Sequence, residues 1–240
     1  MTRRRLGVSL EHIGSLRQVA RAREPDPVAT AALAEAAGAS QIKVHLREDR
    51  RHIQERDVRL LRETVTTSLN LQMAPTMEML KAAYDLKPDE VTLVPERSEE
   101  LATETGLDVH HHRDHLKKYI GNLRDSDIGV FLYIDPEVEQ VRAAHRLDAK
   151  CIEVSTLKYT QARALPERRW ELQRLVDATR TAAKLGMRVS VGGRLDFQSV
   201  PELVPVEGIA QFNMGHALVA RSVITGMERA VRDAVELLHR

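Results

Sequence analysis

The sequence predicts an α/β fold, a single (β/α)₈ TIM barrel with a parallel eight-stranded core over residues 1–240, and three observations support this. Eight short aliphatic runs recur along the chain, separated by segments of helical periodicity. Strand and helix alternate throughout, which requires parallel pairing with right-handed crossovers. The length of 240 residues is close to that of an ordinary α/β barrel. We therefore expect the functional face at the carboxyl ends of the strands.

The predicted strands share an aliphatic or β-branched centre and a polar end. They are 6–10 (LGVSL), 41–46 (QIKVHL), 69–74 (LNLQMA), 90–96 (EVTLVPE), 129–135 (GVFLYID), 151–156 (CIEVST), 188–193 (RVSVGG) and 209–216 (IAQFNMGH). Apolar residues make up 42% of the chain but aromatic residues only 3%, so we expect a core of Val, Leu, Ile and Ala.

Strong helix formers at helical spacing fill the intervening segments. Gly38 and Gly186 close two of these helices, where a left-handed residue is commonly needed. The segment 216–240 predicts one long final helix, whose N-terminus at the barrel mouth would favour an anion. An open doubly wound sheet is the alternative fold, but SLEHIG follows the first strand in place of a glycine-rich dinucleotide fingerprint.

Charge and cysteine content exclude several functional classes. Lys and Arg number 36 against 35 Asp and Glu, so no broad basic field favours nucleic acid. The basic start has an apolar run interrupted by Glu11 and His12, too short for a signal peptide or a membrane span. Cys151 is the only cysteine, which excludes an internal disulfide. We expect a cytoplasmic protein with no nucleic-acid or membrane partner.

Glycines after the seventh and eighth strands predict a phosphate site at the barrel mouth. Gly192, Gly193 and Gly215 would let the backbone approach a phosphate next to the last helix. The alternative is that they only form tight turns. We favour phosphate binding.

The segment VHLREDRRHI (44–53) holds the densest group of polar residues. His45 and Arg47 occupy alternate positions at the polar end of a strand, so they point the same way. An imidazole beside a guanidinium suits proton transfer next to a bound phosphate or carboxylate. A hydrogen-bonded structural histidine is the alternative for His45, and a solvated surface is the alternative for Arg50 and Arg51.

Two other features have ordinary explanations. His111 and His115 are four residues apart, which resembles metal-ligand spacing on a helix. No complete ligand set is nearby, so an exposed polar surface is favoured and we expect no metal. Cys151 opens a strand at the opposite end of the barrel and is expected to be a packing residue.

Together, GVSLEHIGSLR, PDPVATAALAEAAGA, VHLREDRRHI, RDVRLLR, NLQMA, LVPER, TETGLDV and FNMGHALVARSVITG resemble pyridoxine 5′-phosphate synthase over essentially the whole chain. The resemblance implies a (β/α)₈ barrel and a homo-oligomer, an octamer built from dimers. It also implies condensation of 3-amino-2-oxopropyl phosphate with 1-deoxy-D-xylulose 5-phosphate, without metal or organic cofactor.

The resemblance assigns roles to residues that match the family motifs. It implies that His45 is a general acid/base and that Glu153 stabilises charge during the reaction. Positions that it matches to substrate or phosphate binding are Arg17, Arg47, His52, Thr103, Gly192, Gly215 and His216.

The chain departs from the family at groups that transfer protons or contact the ketose. Ser9, Glu11 and His12 stand in the family's Asn-x-Asp-His motif, which changes contacts to the ketose. Gln72 replaces a glutamate base and cannot accept a proton. Gly193 replaces a histidine acid. Glu11 and Arg194 are the nearest substitutes, although an arginine is a poor proton donor.

Further changes lie in the neighbouring motifs, where Ser190 replaces an Asn, Ser155 a His and Leu157 a Gly. Each lost acid or base costs about 10²–10⁴-fold in rate. The sequence therefore favours a synthase-like enzyme with an altered reaction or substrate. The alternative is a non-catalytic protein that binds or senses phosphometabolites.

Overall fold

The computed structural model describes residues 4–96 and 103–239 and contains a closed barrel of eight parallel strands. Each strand pairs with its neighbours in sequence, and β8 returns to pair with β1. The strands are β1 Arg5–Ser9, β2 Gln41–His45, β3 Leu69–Met73, β4 Glu90–Leu93, β5 Gly129–Ile134, β6 Cys151–Ser155, β7 Arg188–Gly192 and β8 Ile209–Met214. All eight predicted strands and the predicted barrel are thus confirmed.

Helices surround the barrel. They are α1 Glu11–Ala20, α2 Pro27–Ala36, α3 Glu55–Thr64, α4 Met77–Leu86, α5 Arg113–Arg124, α6 Val138–Arg146, α7 Leu157–Gln161, α8 Leu165–Lys184, α9 Val200–Leu203, α10 His216–Thr225 and α11 Met227–Leu238. Residues 97–102, which follow β4 in the sequence, lie outside the described residues, and Arg97 of the LVPER motif is among them.

The aliphatic core lies between the strands and the helices. Strand positions that face outward are fully buried, including Val8, Val44, Leu71 and Val154. They belong to one continuous apolar cluster with helix residues such as Leu175. Because strand side chains alternate, the residues between them face the barrel interior.

The barrel interior is polar, in contrast to the branched aliphatic layers usual in this fold. Gln41 Nε2 donates to Glu90 Oε2 at 2.5 Å, and Gln211 Nε2 donates to Gln41 Oε1 at 2.8 Å. Arg188 also pairs with Glu90 and stacks on the Phe131 ring. These contacts join strands across the interior, so polar side chains fill its lower part.

Glycines set two helix ends as predicted, and a third corrects a prediction. Gly38 and Gly186 have positive φ angles of 106° and 72° just after α2 and α8. The single long final helix is wrong: Gly226, at φ 81° and ψ 153°, separates α10 from α11. That backbone geometry cannot continue an α-helix, whereas glycine adopts it readily.

Candidate active site

At the mouth of the barrel, His45 lies next to the Glu96 carboxylate, which follows β4. His45 ends β2 and is 5% exposed, and its Nε2 lies 3.8 Å from Glu96 Oε2. Both atoms are buried and have no hydrogen-bond partner among the described residues. The gap is wider than a hydrogen bond, so two polar atoms face each other without satisfying one another.

Glu96 is held in place by its other carboxylate oxygen. The backbone N–H of Glu48 donates to Oε1 at 3.0 Å, and Arg47 approaches the same oxygen at 3.5 Å. Burial would raise the pKa of Glu96, but His45, Arg47 and the Glu48 N–H lower it overall. The mouth therefore holds an ionised carboxylate against the imidazole of His45.

His52 lies against His45 and is held in its neutral form. The two ring centroids are 5.7 Å apart, and the Ile53 N–H donates to His52 Nδ1 at 2.9 Å. Burial, together with the charges of His45 and Arg47, lowers the pKa of His52 to about 4. His52 is therefore neutral at physiological pH.

Gln72 is the strand neighbour of His45 at the end of β3. Its Nε2 donates to Thr103 Oγ1 at 3.3 Å, which connects it to the segment before α5. An amide at this position can donate and accept hydrogen bonds but cannot take up a proton. The structure thus places Gln72 beside His45 at the mouth of the barrel.

The end of β7 has no space for a side chain at position 193. Gly193 has φ 110°, and a Cβ there would lie 2.9 Å from the Tyr133 hydroxyl. Tyr133 donates to Ser155 Oγ at 2.8 Å, so its hydroxyl is fixed. The backbone angle and the surrounding contacts therefore disfavour any larger residue at this position.

The turn after β7 points Arg194 away from the buried residues. Arg194 has φ 56° and is exposed, whereas Gly192 is buried over Glu153. The structure therefore does not bring Arg194 together with His45 as a buried partner.

The loops after β1 and β8 meet at the mouth between the ends of β7 and β2. The rings of His12 and His216 lie 5.2 Å apart, and His12 Nδ1 is 3.6 Å from Glu11 Oε1. A Cβ on Gly215 would lie 3.0 Å from the Ser9 Cβ and 3.2 Å from Glu11 Oε1. Since α10 begins at His216, its N-terminus opens onto this group.

The Arg17 guanidinium is buried and forms hydrogen bonds within the protein. Its Nη1 and Nη2 donate to Asp57 at 2.8 and 2.5 Å, and Nη2 also reaches the His52 carbonyl at 3.3 Å. Burial would raise the pKa of Asp57, but Arg17 and the Gln54 N–H lower it overall. The guanidinium therefore ties α1 to the start of α3.

Glu153 faces the barrel interior and pairs with Lys43 from the opposite side. Both are nearly fully buried, at 4% and 2% exposure. A Cβ on Gly192 would overlap Glu153 Oε1, so the carboxylate extends up to the level of the strand ends.

Three residues at this site have no role in the sequence-based prediction. Glu96 is visible at the end of its strand, but nothing in the sequence brings it to His45. Lys43 and Tyr133 are visible only as polar residues at alternate positions of apolar strands. That alternation is the signal that could have found them.

The other cysteine and histidine predictions can be compared directly with the structure. Cys151 opens β6, half-buried beside Arg188, and burial raises the pKa of its thiol. His111 precedes α5 and contacts Asp108 at 2.5 Å, while His115 contacts the Pro75 carbonyl. Within residues 4–96 and 103–239, no three His, Cys, Asp or Glu side chains form a group suited to a metal.

Across the same ranges, no helix is long and apolar enough to span a membrane.

Comparisons with known proteins agree over the whole chain. A family model described as "Pyridoxal phosphate biosynthesis protein PdxJ" matches residues 6–240. Pyridoxine 5′-phosphate synthase of Geobacter sulfurreducens is 48% identical over 234 residues, covering 98% of each chain. The protein of the same name from Cyanothece sp. is 50% identical over 228 residues, covering 95% of each.

Solved structures that resemble this chain more distantly share its fold. KGPDC from Streptococcus mutans has a TM-score of 0.64 at 14% identity and covers 100% of this chain and 99% of its own. Phosphoribosylanthranilate isomerase from Thermotoga maritima has a TM-score of 0.60 at 11% identity and covers 98% of each. At such identities the likeness concerns the barrel alone.

Proposed function

Since the chain belongs to the PdxJ family of pyridoxal phosphate biosynthesis proteins, we propose that it is a condensing enzyme acting on phosphorylated small molecules. The family reaction joins 3-amino-2-oxopropyl phosphate and 1-deoxy-D-xylulose 5-phosphate into pyridoxine 5′-phosphate. We propose that this chain has an altered reaction or substrate. The observation that supports it is a kept His45, buried against Glu96, beside an amide at Gln72 and a glycine at position 193.

In this proposal His45 transfers protons to and from the substrate. Glu96 is ionised and 3.8 Å away, so it stabilises the imidazolium that forms when His45 takes a proton. A substrate hydroxyl or carbonyl oxygen near the two unsatisfied atoms would complete the hydrogen bonding. Gln72 then orients the same substrate through its amide without removing a proton.

Phosphate binding follows from the backbone around the mouth. Gly215 and His216 begin α10, whose N-terminal N–H groups and dipole favour an anion. Gly192 and Gly193 lie at the end of the adjacent strand and add no side chain of their own there. Arg47 and Ser9 complete the polar surface of this mouth. The arrangement supports a phosphate ester as ligand.

The direct experiment supplies the purified protein with both family substrates and follows pyridoxine 5′-phosphate. The synthase of Geobacter sulfurreducens, assayed in parallel, provides the reference rate. Since two proton-transfer groups are absent, we expect a rate at least about 10⁴-fold lower, with both phosphate esters still bound. Turnover at the rate of the reference enzyme would contradict the proposal that this chain has an altered reaction or substrate.

The second candidate is a non-catalytic protein that binds phosphometabolites. The pairing of Glu153 with Lys43 favours it, because the charge of that carboxylate is already balanced within the protein. The two candidates differ in what His45→Ala does to a cell lacking the native gene copy. An enzyme predicts a defect as severe as deletion from a folded variant. A binding protein predicts a normal phenotype.

We also propose that the chain works in the cytoplasm as a homo-oligomer built from dimers. Leu16 and Val19 of α1, with Val223 and Ile224 of α10, are large apolar side chains exposed on two helices that contact each other. Val19 and Ile224 are 88% and 84% exposed, which is unusual for an isolated domain. A second copy would cover this surface.

A further inference from the structure

Lys43 and Glu153 form a buried ion pair that the proposed proton transfers do not use. Lys43 Nζ contacts Glu153 Oε2 across the barrel, from β2 to β6. Their side chains are 2% and 5% exposed. Removing two charges from water is costly, and apolar residues of similar volume are often as stabilising. Stability alone is therefore a weak reason for this pair to be present.

The pair lies directly beneath the mouth. Lys43 stands two residues before His45 on β2, and Glu153 stands two residues before Ser155 on β6. Side chains two apart on a strand share a face, so the pair forms the next interior step below the proton-transfer group. The strand neighbour of Lys43 on β1 is Ser9, the last residue of that strand.

Small residues stand at strand ends next to the pair. Gly192 has no side chain, and the Glu153 carboxylate occupies the position that a Cβ there would take. Ser9, the strand neighbour of Lys43, packs against Gly215, so neither position carries a bulky group. A carbonyl carbon held at Gly192 would thus lie next to the Glu153 carboxylate, which contacts the Lys43 amine.

We propose that Lys43 forms an imine with the carbonyl group of a phosphorylated ketone, and that Glu153 moves the protons this requires. Buried lysines serve as imine-forming nucleophiles in other proteins, and here the neighbouring carboxylate can accept the ammonium proton. The inference rests on the proposed function for its substrate class, a phosphate ester held at the mouth. It adds a covalent step that the roles of His45 and Gln72 do not include.

The step is balanced within the pair. The Glu153 carboxylate takes one proton from the Lys43 ammonium, and the free amine attacks the carbonyl carbon to form a C–N bond. The carbonyl oxygen receives a proton from the attacking nitrogen to become a hydroxyl. Glu153 then returns its proton to that hydroxyl, which leaves as water, and Lys43 is left as a protonated imine beside an ionised Glu153.

The test is reductive trapping. The protein is incubated with 1-deoxy-D-xylulose 5-phosphate and sodium cyanoborohydride, and the intact mass and the modified peptide are measured. We expect one covalent adduct, located on Lys43, in most of the protein. Binding of the same phosphate ester is measured separately by calorimetry without the reductant.

Variants keep the result independent of folding. Lys43→Arg preserves the charge, and the Lys43→Met/Glu153→Gln double variant removes both charges together. Neither protein therefore contains an unpaired buried charge. Lys158→Met, which alters an exposed lysine in α7, is the matched control. We expect the adduct to disappear in the first two proteins and to persist in the third.

Ligand binding without an adduct, or an adduct on another lysine, would overturn the inference while the proposed function stands. Absence of both binding and adduct would contradict the two proposals together.

Discussion

Gly193 is the position at which the structure most clearly disfavours a side chain, such as the histidine that the resemblance implies there. Its φ of 110° is unfavourable for any side chain, and the Tyr133 hydroxyl occupies the position in front of it. The backbone nitrogens of Thr156 and Leu157 are each 3.3 Å from a Cβ placed there. Restoring a histidine therefore requires more than one substitution.

We predict that Gly193→Ala lowers the free energy of unfolding by about 1–3 kcal/mol, because both backbone strain and contact with Tyr133 oppose it. Gly186→Ala is the matched control, since Gly186 has φ 72° but open space around its Cβ position. Chemical denaturation measures both. Equal losses in the two variants would show that Tyr133 plays no part.

His52 makes stability depend on pH. Its pKa is lowered to about 4 in the folded chain, against an ordinary value of 6.5. Above pH 6.5 it is neutral in both states, whereas between pH 6.5 and 4 only the unfolded chain gains the proton. Stability is therefore lost as the pH falls through this window.

We predict that this loss amounts to about 3 kcal/mol and that His52→Gln reduces it. The measurement is the free energy of unfolding at pH 7 and pH 4.5 for the native protein and the variant. His145→Gln, at an exposed helix position, is the control and should behave like the native protein. The same pH dependence in His52→Gln would contradict the assignment.

At the level of helices, the Arg17–Asp57 pair joins α1 to α3 and holds the edge of the mouth. Asp57 also accepts the Gln54 N–H at 2.9 Å, which caps the N-terminus of α3. The Asp57 side chain is fully buried, so removing Arg17 would leave its carboxylate charge unpaired. The pair thus couples the position of one loop at the mouth to the start of a barrel helix.

We predict that Arg17→Ala lowers the free energy of unfolding by about 3–5 kcal/mol, because it leaves a buried carboxylate unpaired. Arg17→Met combined with Asp57→Asn should cost clearly less. Chemical denaturation compares the two. A stable Arg17→Ala protein with weaker phosphate binding would show instead that this arginine serves the ligand.

The strands could be predicted from sequence because each has an aliphatic run buried on its outer side. The short helices α7 and α9, of five and four residues, could not be predicted from periodicity. Their apolar residues are too few to show helical periodicity against the strand ends beside them. The break at Gly226 was missed because the apolar pattern continues across it, and only the backbone angle separates α10 from α11.

The position of His45 and of the mouth glycines at strand ends could be predicted, because each stands at the polar end of an aliphatic run. Pairs between distant elements could not be predicted. Lys43 meets Glu153 across the barrel, and Glu96 meets His45 from the loop after β4, two strands away, because barrel closure and register bring them together. Sequence spacing carries no information on such contacts.

The whole molecule exposes an apolar surface made by Leu16, Val19, Val223 and Ile224. We predict that Ile224→Asp shifts the protein to a smaller assembly, because a charge would have to be desolvated in the interface. Light scattering after size-exclusion chromatography measures the mass. Arg232→Asp, at an exposed position on α11, is the control. Val206→Asp is less suitable, because Val206 is half-buried.

Arg232→Asp should leave the mass unchanged. A native protein that is monomeric at micromolar concentration would contradict the proposed assembly.

As a whole, the molecule is a closed barrel whose mouth carries the candidate site, and under the proposed function its proton-transfer groups have changed. Gln72 is the change that one substitution can reverse, because a glutamate has nearly the same shape and the hydrogen-bond partner of the Gln72 amide among the described residues is the adaptable Thr103 hydroxyl. Position 193 offers no such opportunity. The catalytic consequence of losing the base can therefore be measured alone.

The decisive measurement is the rate at which Gln72→Glu forms pyridoxine 5′-phosphate from the two family substrates, relative to the native chain. The account predicts an increase of about 10²-fold or more, because a general base returns beside His45. Gln72→Met is the matched control and should show none. An unchanged rate in Gln72→Glu, from a folded protein that binds both substrates, would contradict the claim that this residue limits the family reaction.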